Sequence, residues 1–213
     1  MKVIVEKMII SEYQKYRNSL ETGDIILFSG PGKLSAGIKL GSLCKWSHVG
    51  MVVRVKDPDI ALIYQATPST AVKDFFLKKE NPGVQINVLS HVIDTYPGDV
   101  AFRKLAVKRS QQVLNGLSAF RKEIQGRPFE EDTWEIIRAA YDGPFGSNQE
   151  EDLSSLFCSE LIAEAYQRMG LLQKNEDGGK ISNEFTPKDF SDKGKLDLLL
   201  GASLGEEIIL KIV

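Results

Sequence analysis

A chain of 213 residues with 42% hydrophobic content can bury one substantial core, and it reads as a single domain over 1–213. The 27 basic and 29 acidic residues nearly cancel, which excludes a strong overall field for drawing in nucleic acid or an acidic membrane. No apolar run approaches the roughly 20 residues of a membrane span, Glu6 and Lys7 interrupt the apolar start unlike a secretory signal, and Cys44 and Cys158 are too few for a disulfide scaffold, so the expectation is a cytoplasmic protein with free thiols.

In chain order, Ser11-Glu12-Tyr13-Gln14 has capping-box spacing and opens a short helix to about Leu20, followed by turn chemistry at Glu21-Thr22-Gly23-Asp24. A buried strand is expected over 25–28, then a Gly- and Ser-rich stretch in which 35–43 suits one helix of small residues. Residues 48–55 and 60–66 are rich in β-branched side chains and flank Lys56-Asp57-Pro58-Asp59, so they predict an antiparallel hairpin. Val84, Ile86 and Val88 alternate as a half-buried strand does, and 99–105 is a further strand after Pro97-Gly98.

The second half is helical. Val113, Leu114, Leu117, Phe120 and Ile124 line one face of a helix that Gly126 ends, and 134–141 is a shorter helix. After a polar loop over 142–152, a helix spans 155–169 with Ser154 or Ser155 as N-cap; 173–195 reads as loop and 207–213 as a closing strand. The fold class is α+β, an antiparallel β-sheet or barrel packed against helices.

Three residues carry the chemistry. Cys158 falls in the first turn of the 155–169 helix, where free N–H groups and the positive end of the macrodipole stabilise a thiolate. Yet Cys158, Ile162, Ala165 and Met169 share one apolar face, so taken alone it reads as a buried core thiol. His48 opens a strand in which Val49, Met51, Val53 and Val55 point one way while His48, Gly50 and Val52 point the other. Gly50 leaves room there for a helix or a substrate. A hairpin turn centred between Asp57 and Pro58 sets Gln65 opposite Gly50, on the face of His48, where its carboxamide can hold the imidazole.

The blocks Thr22-Gly23-Asp24-Ile25-Ile26-Leu27-Phe28, Trp46-Ser47-His48-Val49-Gly50-Met51-Val52, Gly126-Arg127-Pro128-Phe129, Phe157-Cys158-Ser159-Glu160-Leu161-Ile162-Ala163 and Phe185-Thr186-Pro187-Lys188-Asp189-Phe190 resemble the signature blocks of the permuted NlpC/P60, YiiX-like group of the papain-like superfamily. The resemblance implies a circularly permuted papain-like fold, with 1–21 as an N-terminal helical extension and 22–213 as the catalytic core. It also implies Cys158 as nucleophile, His48 as base and Gln65 as the third polar residue, where many permuted members carry Glu. Tyr141, Ser47 and Trp46 are weaker candidates for lining a substrate cleft, and each has an ordinary packing role open to it.

The implied activity is hydrolysis of an amide bond in a small peptide or amino-acid derivative, with peptidoglycan-derived fragments in its range and no cofactor. An acyltransferase or thioesterase acting on lipid acyl groups, a lipid amide among them, is the other enzyme reading, and related proteins resemble lecithin:retinol acyltransferase. A catalytically silent binding module is a third. Cys44, His48, His91 and Cys158 also supply zinc-type ligand atoms, but Cys158 has no second ligand nearby in sequence. The hydrophobic chain ends fit packing or self-association as a homo-oligomer.

Overall fold

The computed structural model describes residues 12–30, 44–80, 82–128 and 148–213, with side chains from residue 157 onward in the last stretch. The helices expected over 35–43 and 134–141, and with the second of them Tyr141, lie outside the described residues, as does Phe129.

Six strands, β1 (Ile25–Ser29), β2 (His48–Lys56), β3 (Asp59–Thr67), β4 (Gly83–Val88), β5 (Asp99–Ala106) and β6 (Ser203–Lys211), form one antiparallel sheet in the order β4-β3-β2-β1-β5-β6. Among the described residues β4 and β6 are edges, so the sheet is open rather than a closed barrel. The β2–β3 hairpin forms in the expected register, with Lys56 facing Asp59 and Met51 facing Tyr64. β-Branched residues on both arms drive it, because their stiff side chains suit the pleated surface. The last strand starts at Ser203 rather than 207, and bulges where it meets β5 let it follow the twist.

Two cores lie on opposite faces of the sheet. One gathers Val49, Met51, Val53 and Tyr64 under α2 (Gln111–Ile124) and α3 (Asn148–Arg168). The other gathers Ile26, Phe28, Val52 and Ile63 under α1 (Leu89–Thr95) and the helical turn at 12–17, which contributes Tyr13. α2 is capped by the Ser110 hydroxyl accepting from the Val113 N–H, and Gly126 takes a left-handed φ of 69° just past its end.

α3 begins at Asn148, not at 155. The polar run 149–152, expected as loop, contains neither glycine nor proline, and its Gln and Glu are good helix formers. Cys158 is therefore a mid-helix residue. Among the described residues, no helix is long and apolar enough to cross a membrane.

Candidate active site

His48 is the first residue of β2 and pairs with Phe28 of β1, whose ring packs against the imidazole at a centroid distance of 5.2 Å. The preceding residue anchors this start, since the Ser47 N–H donates to the Phe28 carbonyl at 2.9 Å. Continuing the β2–β3 register by one residue sets Gln65 level with Gly50, and the side chains of His48 and Gln65 meet with Nε2 and Oε1 2.9 Å apart. Sequence reasoning thus put these two on one face, and the structure brings them into hydrogen-bond contact.

What that reasoning missed is the support behind Gln65. β4 pairs with β3 so that Gln65 faces Gln85 and Ile63 faces Asn87, which turns Gln85 and Asn87 toward the His48 face. Gln65 Nε2 donates to Asn87 Oδ1 at 2.9 Å, and Asn87 Nδ2 lies 2.9 Å from Gln85 Oε1. The chain ends on backbone: Asn87 Nδ2 reaches the Val72 and Lys73 carbonyls, and Gln85 Nε2 reaches those of Thr67 and Ser69. The signal was present as the polar half of the alternation around Val84, Ile86 and Val88; what it lacked was a partner strand. A cavity of about 210 Å³ opens beside this relay, walled by Phe28, His48, Gln85, Asn87 and Tyr96.

Cys158 approaches β2 from the other side. Its sulfur lies in the core of Val49, Met51 and Ile162, fully buried at 0% exposure, and accepts from the Val49 N–H at 3.4 Å. Two bonds separate the Val49 nitrogen from the His48 Cα, so the sulfur is no more than about 6 Å from that atom. The apolar face of Cys158, Ile162, Ala165 and Met169 is buried as expected. Cys158 lies well inside α3, so it lacks the first-turn position at which the helix macrodipole would stabilise a thiolate most.

Burial disfavours charge on both groups. It pushes His48 down to about 4, against the opposing pull of the Gln65 hydrogen bond. It pushes the Cys158 thiol up to about 12, against the N–H groups of Val49, Ser159 and Cys158 itself. At neutral pH the resting pair is thiol and neutral imidazole, not an ion pair.

Comparison with protein-family models gives no match, and neither does comparison with curated proteins. Among solved structures, the chain is similar to the crystal structure of a metalloprotein, YiiX from Escherichia coli O157:H7. The two are 22% identical over 73% of this chain and 72% of that one, with a TM-score of 0.45. The strand order and register define the fold here, not that likeness.

The other expected residues take these places. Trp46 is buried in the α3-side core, with Nε1 donating to Glu207 Oε1 at 2.8 Å. Ser47 is buried, and its hydroxyl accepts from the Gly30 N–H at 3.5 Å. The room expected at Gly50 is occupied: a Cβ there would meet Ile63 Cδ1 at 2.6 Å, so a neighbouring strand side chain fills the space, not a helix or substrate. His91 is exposed on α1, Cys44 lies 3.6 Å from the Ser191 hydroxyl, and among the described residues no group of three or more His, Cys, Asp or Glu is placed to hold a metal ion.

Two features frame the cysteine. The Ser159 hydroxyl donates to the Phe185 carbonyl at 2.6 Å, fastening the Phe185–Phe190 segment to the helix turn that carries Cys158. Arg103 of β5 holds the far end of that segment through the Phe190 and Ser191 carbonyls. A second cavity, of about 330 Å³, lies along α3 beside Phe157 and Leu161, and Glu123, Glu160, Glu164 and Arg127 also line it.

Proposed function

We propose that this chain is a cysteine hydrolase of the circularly permuted papain-like, NlpC/P60 type, cleaving an amide bond in a small peptide or amino-acid derivative. The observation that carries the reading is the junction at residues 48 and 49: the imidazole of His48 is held by Gln65 at 2.9 Å, and the next backbone N–H meets the Cys158 sulfur at 3.4 Å. On this reading Cys158 is the nucleophile, His48 the base and Gln65 the group that orients the base, with thiol and imidazole reaching the start of β2 from opposite faces of the sheet.

The chemistry starts from neutral partners. As the sulfur attacks the substrate carbonyl carbon, its proton passes to the His48 nitrogen that Gln65 does not hold. The C–S bond forms, the imidazolium protonates the departing amine, and the C–N bond breaks to leave a thioester. Water then attacks the thioester with His48 as base, releasing the acid and restoring the thiol. The Val49 N–H supports the negative charge that grows on sulfur, since it already draws the thiol toward its ionised form.

The test is acylation by p-nitrophenyl acetate, read by intact-mass spectrometry and peptide mapping. One acetyl group on Cys158, absent in Cys158→Ala, strongly reduced in His48→Ala and partly retained in Gln65→Ala, is the expected result. The complete burial of Cys158 favours a second reading, a binding module with the shape of an enzyme. That reading wins if Cys158 acquires no acetyl group and reacts with iodoacetamide no faster than Cys44.

A further inference from the structure

We propose that Asn87 is a positioning residue: it fixes the orientation of the Gln65 carboxamide and thereby holds His48 as the Nε2–H tautomer, with Nδ1 as the sole proton acceptor. The tautomer follows from the hydrogen bonds alone; its catalytic consequence rests on the cysteine-hydrolase reading above.

The constraint runs inward from the backbone. Three oxygens surround the Asn87 amide nitrogen, the Val72 carbonyl at 2.8 Å, the Lys73 carbonyl at 3.3 Å and Gln85 Oε1 at 2.9 Å. Two of these are main-chain carbonyls, which can only accept, so the position must be filled by a donor, and a flipped Asn87 would set oxygen against oxygen. Gln85 cannot relieve that by flipping, because its own Nε2 faces the carbonyls of Thr67 at 3.2 Å and Ser69 at 3.0 Å.

With Asn87 so locked, its Oδ1 is what Gln65 meets, and the Gln65 atom at 2.9 Å from it must be the amide nitrogen. Gln65 Oε1 is then the atom that faces His48 Nε2 at 2.9 Å. An amide oxygen only accepts, so Nε2 carries the hydrogen. At neutral pH His48 has one ring hydrogen, since burial holds it down to about 4. Nδ1 therefore keeps its lone pair. Four carbonyl groups thus dictate the protonation of a side chain that touches none of them. Asn87 and Gln85 are buried, at 0% and 2% exposure, so no bulk water competes for these positions.

The chain holds two histidines, and His91 is exposed on α1, so His91→Gln leaves a single imidazole to observe. Long-range 1H–15N correlation on that protein at neutral pH is expected to give a pure Nε2–H pattern for His48. In Asn87→Ala, where the smaller side chain admits water and frees Gln65 to turn, the pattern is expected to become a mixture with Nδ1–H. Acetylation of Cys158 by p-nitrophenyl acetate is expected to fall about tenfold in the same variant, because part of the population presents the wrong nitrogen. An Nδ1–H pattern in the parent protein overturns the proposal without any variant having to fold. So does a folded Asn87→Ala that keeps the pure Nε2–H pattern. A tautomer change in a protein whose Cys158 never acetylates supports the hydrogen-bond relay and sinks the hydrolase reading, so the two failures are told apart.

Discussion

The two faces of the sheet at residues 48 and 49 are built on opposite principles. On the His48 face, Gln65, Asn87 and Gln85 are joined by directional hydrogen bonds that end on backbone carbonyls. On the Cys158 face, the sulfur sits among Val49, Met51 and Ile162, where apolar packing surrounds it and backbone N–H groups are its polar contacts. The difference decides what each face tolerates. Close-packed apolar surroundings accept small changes in volume at modest cost. A buried amide that loses its partner leaves a desolvated group behind, and every neighbour in the relay is affected. An imidazole held in one orientation needs the directional kind of precision, while a buried thiol is placed largely by packing.

The largest effect is expected from Asn87→Leu, which is close in volume and removes every hydrogen bond of the relay's centre. Gln65 Nε2, the Val72 and Lys73 carbonyls and Gln85 Oε1 all lose a partner at once, and the leucine side chain offers none in its place. Denaturant unfolding should report a loss of about 4 kcal/mol. On the opposite face, Ile162→Ala should cost about 3 kcal/mol through its cavity, and Ile162→Val about 1 kcal/mol. If Asn87→Leu costs less than Ile162→Val, the relay is not what holds its face together.

Much of this was legible in the sequence, and the boundary is physical. The β2–β3 register could be worked out from the turn at Asp57-Pro58, because a short hairpin fixes every pair between its arms. Gln65 could therefore be set on the face of His48 from the turn alone. Asn87 could not, because β4 reaches β3 through a long connection whose length does not determine the register. The start of α3 was missed for another reason. An acidic run reads as solvated loop or as the first turns of a helix, and only what the helix packs against decides between them. The space at Gly50 was visible, but its occupant, Ile63, lies on the neighbouring strand.

The faces should also separate by pH. His48 titrates near 6.5 when unfolded and about 4 when folded, so between those values the unfolded chain binds more protons. Its contribution to stability is lost as pH falls through that window, up to about 3 kcal/mol and less because the residue is half-buried. Cys158 behaves in the mirror sense. The unfolded thiol ionises near 9.0 and the folded one near 12, so stability falls as pH rises between them. Subtracting the stability curves of His48→Gln and Cys158→Ala from that of the parent should isolate an acid limb and an alkaline limb respectively. A His48→Gln curve parallel to the parent's between pH 4 and 6.5 would mean the imidazole is not held neutral.

The smallest effect tests where packing intrudes on the polar face. A methyl at Gly50 would meet Ile63 Cδ1 at 2.6 Å, Ile63 Cγ1 at 2.8 Å and the Tyr64 carbonyl at 3.3 Å. The first two atoms belong to a side chain that can rotate, so Gly50→Ala should cost about 2 kcal/mol rather than unfold the protein. Ile63→Val removes Cδ1, the nearest of the three. The double variant should therefore recover about 1 kcal/mol relative to the sum of the single changes. Strict additivity would mean that Ile63 does not occupy the space, and the glycine would again be open to a ligand. Coupling would place the constraint on β3, two residues along the strand from the glutamine that holds His48, and would show that the polar face relies on one packing contact to keep its amides in register.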